Sequence, residues 1–358
     1  VLVGDVWLCS GQSNMSISAG HFAREPDVKA DIAAAAMPLV RQFGVADVAA
    51  PEPQDDVTGQ WLVCSPQTAG RFTAVGFAFA RAVHDGTGVP IGILRSAKGS
   101  TRIDVWLPRG ERHNAMIAPL AGIPIRGVLW YQGESNAGDA AASQRYVEQM
   151  RELVLDWRRL FGDEKLPFYF VQLPAYQKPT DDPAGGDAWS RMREAQARAL
   201  GIPHTGMAVT IDIGEADDIH PRNKADVGKR LARLALRDVY GKPDPGAAGP
   251  AFRELKVEGG RARLLFDGVG SGLMVGRKEG RAPAVEDQAA PLRRFAVAGA
   301  DRKWHWAEAT IEGDTVVVRS PEVPAPVAVR YAYATNPAGA NLYNRDGIPA
   351  APFRTDDW

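Results

Sequence analysis

Strand-like and helix-like patterns alternate along this chain up to about residue 243, and beyond that point the helical pattern ceases. Short apolar runs suited to buried strands lie at residues 6–8, 91–94, 128–131, 168–173 and 207–211. Between them, residues 143–161 place Tyr146, Met150, Leu153, Val154 and Trp157 on one helical face, with Gly162 as the stop. Further helices are predicted over 72–86, through Phe72, Val75, Phe79 and Val83, and from 223 onward, through Val227, Leu231 and Leu234. Residues 16–60 have weak periodicity and read as loops around one helix near 28–36. Such alternation predicts an α/β fold, a parallel sheet covered by helices on both faces, because each parallel connection needs a crossover. In such sheets ligands sit beyond the carboxyl ends of the strands.

A Pro- and Gly-dense stretch, GKPDPGAAGP at 241–250, marks a linker. After it come alternating strand patterns, a Gly259-Gly260 turn and the glycine-rich GVGSG at 268–272, read as a turn. The expected organisation is a three-layer α/β/α domain over 1–243 and a smaller β-rich, sandwich-like domain over 244–358, its tail returning to the first domain. A length of 358 residues suits two domains, and a formal net charge of -1 provides no field for a polyanion, so nucleic acid is not an expected partner. No apolar run is long enough to span a bilayer. Two cysteines, Cys9 and Cys64, form no metal-ligand cluster, and either a disulfide or two buried thiols fits them. No basic and apolar leader precedes the first strand, so no signal peptide is expected within this chain.

The first strand ends in GDVWLCSGQSNM, residues 4–15, where Gly11 and Ser13 meet at a strand-to-helix turn. A serine there would have its hydroxyl in the field of a helix N-terminus, and its own N–H could help hold an oxyanion. A serine nucleophile needs a base. Of six histidines, His220 stands out, in IDIGEADDIHPRNK after the last strand, with Asp217 three residues and Asp218 two residues before it. Either carboxylate could fix the imidazole tautomer and stabilise the imidazolium. His84, at a helix end, reads as a C-terminal cation. Two more segments follow strands. SAKGSTR at 96–102 offers Gly99 for close backbone approach, and its glycine spacing is not that of a phosphate loop. WYQGESNAG at 130–138 offers the amide of Gln132 as an oxyanion donor. Gln12, Asn14, Glu134 and Asn136 beside these residues are the candidates for substrate contact.

Taken together, GDVWLCSGQSNM, KGSTRIDVW, VLWYQGESNA and DDIHPRNKADVGKRLA closely resemble the SGNH-hydrolase superfamily, with its flavodoxin-like fold, and within it the sialate O-acetylesterase-like carbohydrate esterases. The resemblance spans nearly the whole chain. It implies Ser13 as nucleophile, His220 as base, and Ser13 N–H, Gly99 N–H and Gln132 as the oxyanion hole. It implies Asp217 as the acid by the superfamily's usual spacing, with Asp218 the alternative in close relatives. Many relatives have two glycines in the second block, where this chain has Gly99 and then Ser100. Relatives also usually carry a β-rich region before the first block.

The implied activity is hydrolysis of acetyl esters on sugars, either plant polysaccharide such as xylan or xyloglucan, or O-acetylated sialic acid, with no metal or cofactor. Polymeric substrates imply a secreted or periplasmic protein. A non-catalytic carbohydrate-binding protein and a general short-chain esterase or lipase are the alternatives. Trp61, Trp106 and Trp130 either surround the site as sugar platforms or pack the core.

Overall fold

The computed structural model describes residues 2–358. The chain divides into two compact units, the first made of residues up to 171 with 198–208 and 224–242, the second of 172–197, 209–223 and 243–358. The stretches 172–197 and 209–223 thus belong to the second unit.

The first unit is built on a seven-stranded sheet: β1 (Asp5–Gly11), β2 (Met37–Val45), β3 (Gly59–Cys64), β4 (Ile91–Ala97), β5 (Gly127–Tyr131), β6 (Phe168–Val171) and β7 (Thr205–Ala208). Their order is β3-β2-β4-β1-β5-β6-β7, and all neighbours are parallel except β2 and β3. The connection from β4 to β5 jumps across β1, so the topological switch point lies at β1, where such sheets place their ligands. Every residue of β5 and β6 is buried, as expected for strands covered on both faces.

The helices are α1 (Ser13–Ser16), α2 (Pro26–Ala33), α3 (Ala74–Thr87), α4 (Glu111–Met116), α5 (Ala140–Phe161), α6 (Ala188–Arg198) and α7 (Lys224–Asp238). Helices cover both faces of the sheet. Trp7 of β1 lies beside Gly127 and packs edge-on to Phe79 of α3, whereas Trp130, three residues along β5 and so on the opposite face, packs on Trp157 of α5. Asp139 caps α5 by accepting from Ala142 N at 2.7 Å, and Gly162 ends it in the left-handed conformation, φ +70°. α3 and α7 pack tightly because Gly228 leaves room: a β-carbon there would sit 2.5 Å from Val75 O.

Residues 16–60 are not loops around one helix. They contain α2, the whole of β2 and the start of β3. In MPLVRQFGV the apolar run is broken by Pro38, Arg41, Gln42 and Gly44, which hides the strand from a periodicity reading. Gln42 is nonetheless buried, its Oε1 accepting from Thr73 N at 2.8 Å. Cys9 and Cys64 are buried free thiols, and burial pushes the Cys64 thiol up to about 11.

In the second unit, one antiparallel sheet is formed by Glu308–Glu312, Thr315–Arg319, Arg261–Asp267 and Ala251–Glu258, and another by Trp304–Trp306, Phe295–Ala298, Ala328–Tyr331 and Phe353–Arg354. Leu264, Phe266, Val316 and Val318 of the first share one core with Phe295, Val297, Val329 and Tyr331 of the second, which makes the arrangement sandwich-like. Gly259 turns one hairpin at φ +62°. Arg193, fully buried, joins 172–197 to this unit: it donates to Leu173 O and Pro174 O, each at 2.8 Å, and to Ala334 O and Thr335 O, each at 2.6 Å.

Candidate active site

Three strands of the first unit end in one row. Gly11 pairs with Ala97 on one side and with Tyr131 on the other, so the segments that follow β1, β4 and β5 leave the sheet side by side. The backbone continues the pairing for one more residue: Lys98 N donates to Gly11 O at 3.0 Å and Gln12 N to Tyr131 O at 2.9 Å. Gly11 has φ +128°, and a β-carbon on it would lie 2.2 Å from Tyr131 O, so only glycine makes this turn. Ser13 follows at the start of α1. That helix is a single turn of four residues, so the helix-terminus field expected at the serine is confined to one turn of peptide dipoles.

Gly99 lies against Ser13: a β-carbon built at Gly99 would be 3.5 Å from Ser13 Cβ and 3.8 Å from its Cα. Two of the residues singled out in sequence, 86 positions apart, are thereby brought together. Ser100 has φ +61°, the left-handed conformation that a second glycine would adopt freely. Trp106 holds this loop from beneath, its Nε1 donating to Thr101 Oγ1 at 2.9 Å.

Gln132 is fully buried at the end of β5. Its Nε2 donates to Asn136 Oδ1 at 2.8 Å and faces Gln12 Oε1 and Thr101 O, each at 3.2 Å. The assignment of these amides is chemically determined. Asn136 Oδ1 also accepts from Ile103 N at 2.9 Å, and Gln12 Oε1 from Ser135 N at 3.2 Å, so both must be oxygens. One hydrogen of Gln132 is thus committed to Asn136, and the second is shared between two distant acceptors. Gln12, Asn14, Glu134 and Asn136 are all buried, and their bonds tie the three segments to one another.

Asn14 Nδ2 donates to Glu134 Oε1 at 2.5 Å, while Asn14 Oδ1 accepts from Lys224 Nζ at 2.6 Å. Burial holds the Glu134 carboxyl above its ordinary range, against the opposing pull of Asn14 and of the Lys224 charge. Lys224 escaped the sequence reading, although a signal was present. It sits three residues before Val227 on the apolar stripe of α7, an uncommon place for a lysine.

His220 belongs to the second unit. Its backbone N donates to Asp218 Oδ1 at 2.8 Å, and its Nδ1 lies 3.8 Å from the same oxygen, beyond hydrogen-bond range. Asp217 is exposed. The loop carrying these residues is closed by a pair missed in sequence: Arg222 N donates to Glu215 Oε1 at 2.7 Å, and the Arg222 guanidinium reaches Glu215 Oε2 at 2.8 Å. His84 lies in the last turn of α3, its Nδ1 2.8 Å from Val89 O.

The tryptophans do not surround this site. Trp106 and Trp130 are core residues, at 0% and 1% exposure. Trp61, at 49% exposure, lines a cavity with Leu2, Leu39, Arg41 and Pro90, near the entry to β4 at the opposite end of the strands from Ser13.

The family model for "Carbohydrate esterase, sialic acid-specific acetylesterase" matches residues 3–237. The chain is 30% identical to the sialate O-acetylesterase of Mus musculus over 99% of its own length and 77% of that protein, and 28% identical to that of Rattus norvegicus over the same shares. Among solved structures, a carbohydrate acetylesterase from Xanthomonas citri is 42% identical and superposes with a TM-score of 0.90, covering 100% of this chain and 82% of the other.

Proposed function

The chain belongs to the carbohydrate esterase family of sialic acid-specific acetylesterases and is a carboxylic ester hydrolase, and from that premise we propose that it removes acetyl groups from sugar hydroxyls through an acyl-enzyme on Ser13. The nearness of Gly99 to Ser13 is the observation that carries this reading, because the loop after β4 then runs beside the proposed nucleophile, where an oxyanion donor is needed.

In the proposed mechanism Ser13 Oγ attacks the acetyl carbonyl carbon and His220 takes its proton. The oxyanion accepts from Ser13 N–H, from Gly99 N–H and from the second amide hydrogen of Gln132, which exchanges two weak neutral acceptors for a charged one. The tetrahedral intermediate collapses as His220 protonates the departing sugar oxygen. Water, deprotonated by His220, then attacks the acetyl-serine and releases acetate. Asp217 or Asp218 orients the imidazole, and the closer approach of Asp218 to Nδ1 supports Asp218.

The substrate is an acetylated glycan, O-acetylated sialic acid or a plant polysaccharide such as xylan or xyloglucan, acted on outside the cytoplasm. The relatives named for sialate and for carbohydrate support that range. No helix among the described residues is long and apolar enough to cross a membrane. The test is acetate release from p-nitrophenyl acetate, acetylated xylan, acetylated xyloglucan and O-acetylated sialic acid by the wild type and by Ser13→Ala. Loss of all activity in the variant, with one sugar preferred by the wild type, is expected. Undiminished activity of Ser13→Ala would overturn the mechanism, and a folded wild type releasing no acetate would overturn the activity.

A further inference from the structure

We propose that Lys224, Asn14 and Glu134 form a buried relay that holds the backbone of Ser13 in its reactive position, making Lys224 and Glu134 positioning residues for ester hydrolysis. The inference rests on Ser13 being the nucleophile.

Asn14 directly follows Ser13, is fully buried, and has its amide held between opposite charges. Its oxygen faces the Lys224 ammonium and its nitrogen faces the Glu134 carboxyl, so the amide has only one satisfactory orientation. Any rotation of the backbone at 13–14 swings that amide and breaks two charge-assisted bonds together.

The three groups come from three separate places in the chain: the turn after β1, the segment after β5 and the first residue of α7. Lys224 is 2% exposed, and its ammonium lies 5.6 Å from the Phe22 ring centroid and 5.9 Å from that of Tyr131. Glu134 is 9% exposed, and its second oxygen, Oε2, has no hydrogen-bond partner, nor has the buried Tyr131 hydroxyl. The carboxyl therefore depends on Asn14 for its side-chain hydrogen bond.

Stability does not account for such an arrangement, since buried charges are costly and apolar residues of the same volume would serve a core at least as well. Orientation does account for it. A nucleophile displaced by about 1 Å loses about 10²-fold in rate, and the residue next to the nucleophile is the one locked.

The experiment reverses the direction of the hydrogen bond. Asn14→Asp keeps the acceptor for Lys224 but sets an oxygen against Glu134 Oε1. Adding Glu134→Gln moves the negative charge to position 14 and restores a donor between the two. With p-nitrophenyl acetate in mildly alkaline buffer, Asn14→Asp should lower kcat by about 10²-fold with KM little changed, and the double variant should recover at least about tenfold. Wild-type kcat in Asn14→Asp, an effect confined to KM, or a double variant no better than Asn14→Asp while both keep the native near-ultraviolet circular dichroism would overturn the proposal. Should Asn14→Asp not fold, Glu134→Gln alone decides: a loss of about tenfold in kcat at constant KM is expected, and unchanged kcat overturns it. Ser13→Ala separates the two levels. An active Ser13→Ala removes the nucleophile itself, whereas an inactive Ser13→Ala beside fully active relay variants removes only the relay.

Discussion

A β-carbon placed on Gly99 would stand 3.5 Å from Ser13 Cβ, within van der Waals reach of the serine. That separation is an ordinary contact rather than a clash, so Gly99→Ala should fold with wild-type stability. It keeps the N–H and should retain kcat within about tenfold. Gly99→Val places branches over the serine and should cost about 10²-fold in kcat/KM at unchanged melting temperature. A fully active valine variant would show that the acyl group does not approach over this glycine.

Gln132→Ala removes an amide that has one hydrogen committed to Asn136 and one shared between Gln12 and Thr101. A fall in kcat of about 10²-fold is expected, the usual cost of losing one oxyanion donor. A near-normal rate in steady-state kinetics would take Gln132 out of the hole.

Ser100 occupies the left-handed region at φ +61°. A non-glycine residue there is strained by roughly 1–2 kcal/mol, offset in part by the greater unfolded-state entropy of glycine. Ser100→Gly should therefore gain up to about 1 kcal/mol in urea unfolding while leaving kcat unaltered. A destabilised variant would mean that the serine hydroxyl supports the loop.

Asp218→Asn should reduce kcat far more than Asp217→Asn, because the Asp218 carboxylate is the one 3.8 Å from His220 Nδ1. The reverse ranking, measured on p-nitrophenyl acetate, would assign the acid to Asp217.

Glu134 carries a pH signature in stability. Burial raises its native value above the ordinary 4.5. The unfolded chain loses this proton first as pH rises, so the favourable contribution is complete below 4.5 and is lost as pH climbs through the raised native value. Glu134→Gln cannot ionise. The stability difference between variant and wild type, from urea titrations in acid and at neutrality, should therefore move in favour of glutamine with rising pH. A difference that stays flat would mean that Glu134 is not raised in the native protein.

Much of this protein was legible in one dimension. Alternating apolar runs and amphipathic stretches specified the parallel sheet, and Gly162 marked the end of α5. The turn chemistry after β1 and β4 pointed to Ser13 and Gly99, which the fold brings near each other. These features are local, and local periodicity reports which side of an element is apolar. Strand order, and the contacts it creates between distant segments, is not local. Only the tertiary structure showed that the broken run at 37–45 is a strand, because its pairing with β4 and β3 supplies what its own pattern lacks. Only packing decided that Trp106 and Trp130 belong to the core. The fold alone carried Lys224 to within 2.6 Å of Asn14, across 210 residues, since a buried charge is tolerated where partners from other strands and helices converge on it.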